Sequence, residues 1–189
     1  MIGGELVLGL IPARGGSKRL ANKNLSTVGG RTLVALAVEC AKAVPEIDIV
    51  AVSTNVSDIA LEAFQCGALV IPRPGDLALD DSTTEDAVAH ARALLSAPWV
   101  VVLQPTSPLR TPQMVSSLLN HPELLRHGRG WTSSVGRKPD GVAYAQNWTH
   151  RAESLSGGRA GAVLMIQPCI DIDTVEDLLE ARRIYEGED

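Results

Sequence analysis

Residues 5–24 read ELVLGLIPARGGSKRLANKN, an apolar run that stops at a proline and opens into a glycine-rich basic loop. The run Glu5–Ile11 has the length of a buried strand and falls far short of the roughly 20 residues that span a bilayer. It is acidic before the apolar part and basic after it, the reverse of a secretory leader. A basic, glycine-rich loop at the carboxyl end of a first strand is where open α/β sheets hold their ligands. This stretch therefore sets the expectation for everything that follows it.

Short apolar runs then alternate with helical patterns. Leu33–Val44 is apolar all round and suits a helix packed on a sheet. Asp48–Val52 predicts the second strand, and Ser57 or Asp58 is placed to cap a helix running through Cys66. Gly67 ends that helix, and Ala68–Ile71 predicts a third strand closed by Pro72 and Pro74. Ser82 with Glu85 has capping-box spacing for a helix to about Ser96. Trp99–Leu103 is wholly apolar and β-branched, which predicts a central strand buried on both faces. Thr111 and Pro112 cap and start another helix. Beyond it the rhythm loosens, with short strands expected at Trp131–Val135, Val142–Gln146 and Ala162–Ile166 and an amphipathic helix at Thr174–Tyr185. Strand–helix alternation implies right-handed crossovers. The expected fold is α/β: a single domain over residues 1–189, three-layer and doubly wound, with a mostly parallel sheet.

Composition narrows the function. The chain has 189 residues, 17 Lys+Arg against 22 Asp+Glu, and only 3% aromatics. No positive excess supports bulk binding of nucleic acid, and no aromatic platform supports base stacking. Any polyanion must be gripped by a local site. Three widely spaced cysteines without a CxxC pair and the lack of a leader point to a cytoplasmic, non-membrane protein. The four histidines show no metal-ligand spacing, and no GxSxG or Cys–His pattern suggests a covalent nucleophile.

Four features carry chemistry. In Pro12–Arg19 the glycines let backbone N–H groups face an anion, and Arg14, Lys18, Arg19 and Lys23 supply countercharge. This reads as a triphosphate cradle, or else as a plain basic surface loop. Its spacing matches neither GxxxxGK[ST] nor GxGxxG. In Ile170–Thr174 the alternation of an extended segment sends Asp171 and Asp173 to one side and Ile170 and Ile172 to the core. Such a carboxylate pair suits Mg²⁺, which takes one or two carboxylates plus substrate phosphates; the rival reading is that Asp173 or Thr174 simply caps the terminal helix. Gln104, in the proline-fixed loop QPTSPLR at 104–110, is placed to hydrogen-bond a sugar or base, unless that loop merely connects. Arg73, between two prolines, and Ser82-Thr83-Thr84 at a helix start are placed to read a base or phosphate, the alternative being capping alone.

Taken together, IPARGGSKRLANKN, LQPTSPLR and IDIDTVEDL occur in the order found in the acylneuraminate cytidylyltransferases, also called CMP-sialic acid synthetases, and the chain resembles that family from about Val7 to Tyr185. The resemblance implies a Rossmann-like nucleotide-diphospho-sugar transferase fold, CTP and a small acidic acceptor as partners, Mg²⁺ as cofactor, and a possible homodimer. It places Ala13, Arg14, Gly15, Ser17, Lys18 and Lys23 around the CTP phosphates. Asn24 and Gln104 fall by the ribose or acceptor, and Arg73, Ser82 and Thr84 by cytidine. Asp171 and Asp173 match the aspartates that hold the metal, with Arg14, Lys23 and Asp173 as catalytic residues. The implied reaction is attack of an acceptor oxygen on the α-phosphorus of CTP with loss of pyrophosphate.

The chain also departs from that pattern. Ala160–Leu164 stands where the resembled family reads N-G-A-I-Y, and only Gln167-Pro168-Cys169 separates this strand from IDIDT. Residues 128–161 thus read as a shortened acceptor and dimerisation region, in which Arg129, Arg137, Lys138, Arg151 and Arg159 are either acceptor ligands or solvated loop charges. Two alternatives follow: activation of a smaller acid such as a phosphonate, or a non-catalytic CTP-binding remnant.

Overall fold

The computed structural model describes residues 4–120, the backbone of three strands at 132–137, 143–146 and 165–168, and residues 170–187. Strand β1 (Val7–Pro12) is followed by a 3₁₀ turn at Lys23–Leu25, a hairpin of β2 (Thr27–Val28) and β3 (Arg31–Thr32), and helix α1 (Leu33–Lys42). Next come β4 (Ile49–Thr54), α2 (Ser57–Gln65), β5 (Leu69–Pro72), a 3₁₀ turn at Gly75–Leu77 and α3 (Thr84–Leu95). Then follow β6 (Trp99–Val102), α4 (Pro112–Leu119), β7 (Thr132–Arg137), β8 (Ala143–Gln146), β9 (Met165–Pro168) and α5 (Val175–Glu186). The main sheet has the order β5-β4-β1-β6, all parallel, with Leu8 opposite Ile49 and Val7 opposite Trp99. A smaller sheet pairs β7 antiparallel with β8 and parallel with β9.

The period of two along β1 builds the layers. Val7 and Ile11 pack with α1, α2 and α4 through Val34, Val38, Ile59 and Leu118. Leu8 and Leu10 face the other way, onto Val88 and Ala91 of α3. Each of these leucines is fully buried, worth about 1.5–3 kcal/mol by transfer alone. The mostly parallel α/β sandwich expected from the sequence is therefore the observed fold. A third cluster joins Val28 and Leu33 to Ile172, Leu178 and Ala181, and so seats α5 and the strand before it against the β2–β3 hairpin. Arg182 Nε donates to the Thr27 carbonyl at 2.8 Å. The Tyr185 ring packs directly against Gly29 (φ +55°), leaving no room for a Cβ there.

Several details differ from expectation. Among the described pairings β6 lies at an edge of the sheet and is only partly buried; β1 is the strand buried along almost its whole length. Apolar content reports burial but not strand order, and the indole of Trp99 reaches outward to Glu5. Helix α3 opens at Thr83, not Ser82: Thr83 and Asp86 form the capping box, the same spacing one residue later. Helix α2 is capped by neither Ser57 nor Asp58. Its N-cap is Val56, whose N–H is held by Thr54 Oγ1 at 3.1 Å, and Asp58 faces the positive end from the first turn. Of the later strands, Trp131, Val142 and Ala162–Leu164 lie outside the described residues. Among the described residues no helix is long and apolar enough to cross a membrane.

Candidate active site

The loops that leave β1, β5 and β6 at their carboxyl ends, together with the segment before α5, surround one cavity of about 450 Å³. That is ample for a nucleotide-sized ligand. The basic loop is shaped from within. Ala13 N donates to the Ser53 carbonyl at 2.9 Å, and Gly15 N to Asn55 Oδ1 at 2.9 Å. Gly15 passes so near Val56 that a Cβ would meet its Cγ2 at 2.5 Å, so glycine is required there by space alone. Gly16 (φ +79°) and Asn22 (φ +51°) supply left-handed turns. Asn24 is buried, and its Nδ2 donates to the Arg14 carbonyl at 3.0 Å, fixing the loop from behind.

Among the described residues five basic side chains line the cavity (Arg14, Lys18, Arg19, Lys23 and Arg73) against three acidic ones, Asp80, Asp171 and Asp173. The balance inverts that of the whole chain. Lys23 Nζ meets Asp173 Oδ1 at 2.8 Å, and Arg19 Nη1 meets Asp173 Oδ2 at 2.7 Å. Lys18 Nζ meets Asp80 Oδ2 at 2.5 Å, with Arg14 Nη1 at 3.4 Å from Asp80 Oδ1. Arg73 differs from these. It is buried, its guanidinium donates only to Ser53 Oγ and the Ser53 carbonyl, both at 3.0 Å, and among the described residues no carboxylate pairs with it. Burial, with the charge of Arg14 nearby, lowers its pKa. A buried guanidinium without a counterion is a ready partner for an electron-rich ligand atom.

The two aspartates before α5 are set differently. Burial pushes Asp171 above the usual carboxylate range, and a hydrogen bond from Thr106 offsets this only in part. Its Oδ1 is buried and has no hydrogen-bond partner among the described residues. Burial would raise Asp173 too, but the hydrogen bond and charge of Lys23, with Arg19 behind them, hold it below its ordinary value. An orphaned buried carboxylate oxygen beside a second carboxylate in one cavity fits a divalent cation. Among the described residues no group of three or more His, Cys, Asp or Glu gathers as a cation cage, so ligand oxygens would have to complete the shell, as they do for Mg²⁺.

Of the residues singled out in the sequence, Arg14, Ser17, Lys18, Lys23, Asn24, Arg73, Ser82, Thr84, Gln104, Asp171 and Asp173 all line this cavity. Ala13 and Gly15 do not. Ala13 is fully buried in the core below the loop, and Gly15 serves the loop's path past Val56. The opening turn of α3 contains Glu85 and Asp86, which satisfy its positive end; that terminus suits a base edge better than a phosphate. Arg129, Lys138, Arg151 and Arg159 lie outside the described residues, as does the side chain of Arg137. Arg19, read in the sequence as part of the basic cradle, lines the cavity as well; Leu20, Asp80, Pro105 and Thr106 also line it, and the sequence reading missed them as site residues. Leu20, Pro105 and Thr106 sat within motifs already quoted; Asp80 lay in an acidic turn with no periodic signal.

Comparison with known proteins identifies the family and the fold. The family described as Cytidylyltransferase matches residues 8–134. A 3-deoxy-manno-octulosonate cytidylyltransferase from Anaeromyxobacter is 38% identical over 112 residues, which is 58% of this chain and 44% of that protein. The CMP-N,N'-diacetyllegionaminic acid synthase of Legionella pneumophila is 38% identical over 116 residues, 58% of this chain and 50% of that protein. The chain thus spans about half the length of the curated relatives it matches. Among solved structures, a CMP:2-keto-3-deoxy-manno-octonic acid synthetase complexed with CTP superimposes with a TM-score of 0.72, covering 97% of this chain and 99% of that one. At 16% identity that likeness is one of fold.

Proposed function

This chain belongs to the cytidylyltransferase family, and on that premise we propose that it transfers the cytidylyl group of CTP to an acidic sugar and releases pyrophosphate. The observation that carries the proposal is a cavity whose described lining brings five cations together with Asp171 and Asp173. Arg14, Lys18, Arg19 and Lys23 bind the triphosphate, while Arg73, Ser82 and Thr84 take the cytidine end and Gln104 the ribose or acceptor. Asn24 keeps Arg14 in place through the loop backbone. Asp171 and Asp173 would hold Mg²⁺, which when bound would neutralise phosphate charge and make the acceptor hydroxyl more acidic. The acceptor oxygen bonds to the α-phosphorus and gives up its proton to solvent water, the bond to the bridging oxygen of the β-phosphate breaks, and pyrophosphate departs with the electron pair. Arg14 and Lys23 stabilise the charge that builds on the phosphoryl oxygens.

The acceptor is a sugar acid, N-acylneuraminate-like or the octulosonate for which a matched relative is named. The protein works in the cytoplasm, where CTP is made, and as a homodimer. The test is pyrophosphate release from CTP and Mg²⁺ with 3-deoxy-manno-octulosonate, N-acetylneuraminate, diacetyllegionaminate and a small phosphonate. Release is expected with a sugar acid, and Asp173→Asn and Arg14→Ala should each lower it by about 10²–10³. Release with the phosphonate alone would move the acceptor to a smaller acid. Calorimetric CTP binding without release from any acceptor would make the chain a nucleotide-binding domain and overturn catalysis.

A further inference from the structure

Asp80 sits across the cradle from the loop that supplies the phosphate-binding charges. Its two oxygens meet Lys18 Nζ at 2.5 Å and Arg14 Nη1 at 3.4 Å. The same Arg14 nitrogen donates to the Leu79 carbonyl at 2.9 Å and stands 3.4 Å from that of Ala78. Two of the cavity's five cations are thus held by a single short segment between the 3₁₀ turn at Gly75–Leu77 and helix α3. The segment is otherwise held by its own local turns, with Ala78 N donating to the Gly75 carbonyl and Ser82 N to that of Leu79, both at 3.1 Å. Leu79 and Asp80 are exposed, and among the described residues Asp80 makes no backbone cap of the kind that occupies Asp86. A carboxylate presenting one oxygen to an arginine and the other to a lysine makes the contacts that two oxygens of a phosphate group would make. Arg14 and Lys18 cannot serve both at full strength.

We propose that Asp80 is an internal stand-in for a phosphate group, strapping residues 78–82 onto the basic loop until a polyphosphate displaces it. The strap rests on the triphosphate reading of this cavity. It sets the affinity for the phosphate end of a ligand and leaves the nucleoside end untouched. A lone weak anion meets a cradle already closed, whereas a chain of phosphates competes with several groups at once.

The experiment is calorimetric titration of the full chain and two variants, Asp80→Asn and Asp81→Asn, with CTP, inorganic tripolyphosphate and cytidine. Asp81 is the adjacent acid that does not line the cavity, so its variant makes the same charge change and keeps the contacts of Asp80 to Arg14 and Lys18. Asp80→Asn should tighten CTP and tripolyphosphate by about three- to ten-fold, the range expected for releasing two exposed ion pairs. Cytidine should be unchanged, and Asp81→Asn should move nothing by more than about two-fold. Equal tightening in both variants, or tightening of cytidine as well, would overturn the strap in favour of a general charge effect. Weaker or unaltered tripolyphosphate binding in Asp80→Asn would overturn it in favour of Asp80 as an organiser of Arg14 and Lys18. If tripolyphosphate tightens while CTP binds nowhere, the strap stands and the nucleotide reading falls. If neither ligand binds any of the three proteins, both fall.

Discussion

Asp171 and Asp173 stand two residues apart and titrate in opposite directions. Burial raises the pKa of Asp171, with Thr106 offsetting part of the rise. For Asp173, Lys23 and Arg19 outweigh burial and lower it. The consequences for stability have opposite signs. Asp173 contributes stability that is present above the ordinary aspartate pKa and lost as pH falls through its depressed value. Asp171 contributes stability only while protonated, below the ordinary value, and that contribution is lost as pH rises through its raised pKa. When ionised, Asp171 is a buried charge with an orphaned oxygen, a strain that the cation proposed above would relieve. Without divalent cation, Asp171→Asn should melt about 2–4 °C higher than the parent at pH 7. The gap should shrink as pH drops into the carboxylate range. Mg²⁺ should raise the melting temperature of the parent and not of the variant. A parent that melts as high as the variant across pH 4 to 8 in cation-free buffer would remove Asp171 as a strained metal ligand.

Helix α5 positions those aspartates without entering the cavity. Asp177 Oδ2 accepts from the backbone N–H of Asp173 at 3.0 Å, from that of Thr174 at 2.8 Å, and from Thr174 Oγ1 at 2.9 Å. Thr174 Oγ1 in turn accepts from Asp177 N at 3.2 Å. On the other side Ile172 N donates to the Thr106 carbonyl at 2.8 Å, tying the segment to the loop after β6. The Asp177→Ala variant should cost about 1–2 kcal/mol in denaturant unfolding. It should also weaken the Mg²⁺-induced rise in melting temperature, although Asp177 does not line the site; Asp177→Asn, which keeps an acceptor, should restore part of both. A full Mg²⁺ response in the alanine variant would show that the cap is purely structural. The same contacts settle an ambiguity of the sequence. Capping and cation binding looked like rival uses of IDIDT, yet Thr174 and Asp177 do the capping and leave Asp173 free to face Lys23 and Arg19. The box at Ser82 and Glu85 misled by one residue for a related reason, since Thr83 and Asp86 repeat the spacing and a local pattern cannot choose between overlapping registers.

Across the whole molecule, what periodicity could carry was legible: β1 with its loop, the parallel crossovers, the start of α4 and the extent of α5 all follow from apolar runs and caps. The two-residue strands of the β2–β3 hairpin are too short for any periodic signal. Asp80 is a partner only because the chain folds a turn from residue 80 back onto residues 14 and 18. Composition, by contrast, made a claim about charge that now has a location. The chain carries a net charge of −5, while its cavity is lined by five basic and three acidic side chains, so a triphosphate meets repulsion at long range and attraction at contact. Salt separates the two, because the Debye length is about 30 Å at 0.01 M, about 10 Å at 0.1 M and about 3 Å at 1 M. Between about 0.1 and 0.5 M NaCl the dispersed repulsion is already screened, and added salt chiefly weakens contacts at exposed Lys18 and Arg19; CTP affinity should fall by about three- to ten-fold. Toward about 0.01 M the repulsion reaches across the molecule and opposes the contacts, so affinity should level off instead of continuing to climb. Calorimetric titration at four or five salt concentrations measures the curve. A flat response would mean that neutral contacts to the base and ribose dominate recognition, and a steady climb to the lowest salt would mean that the field at the cavity mouth is positive despite the acidic chain around it.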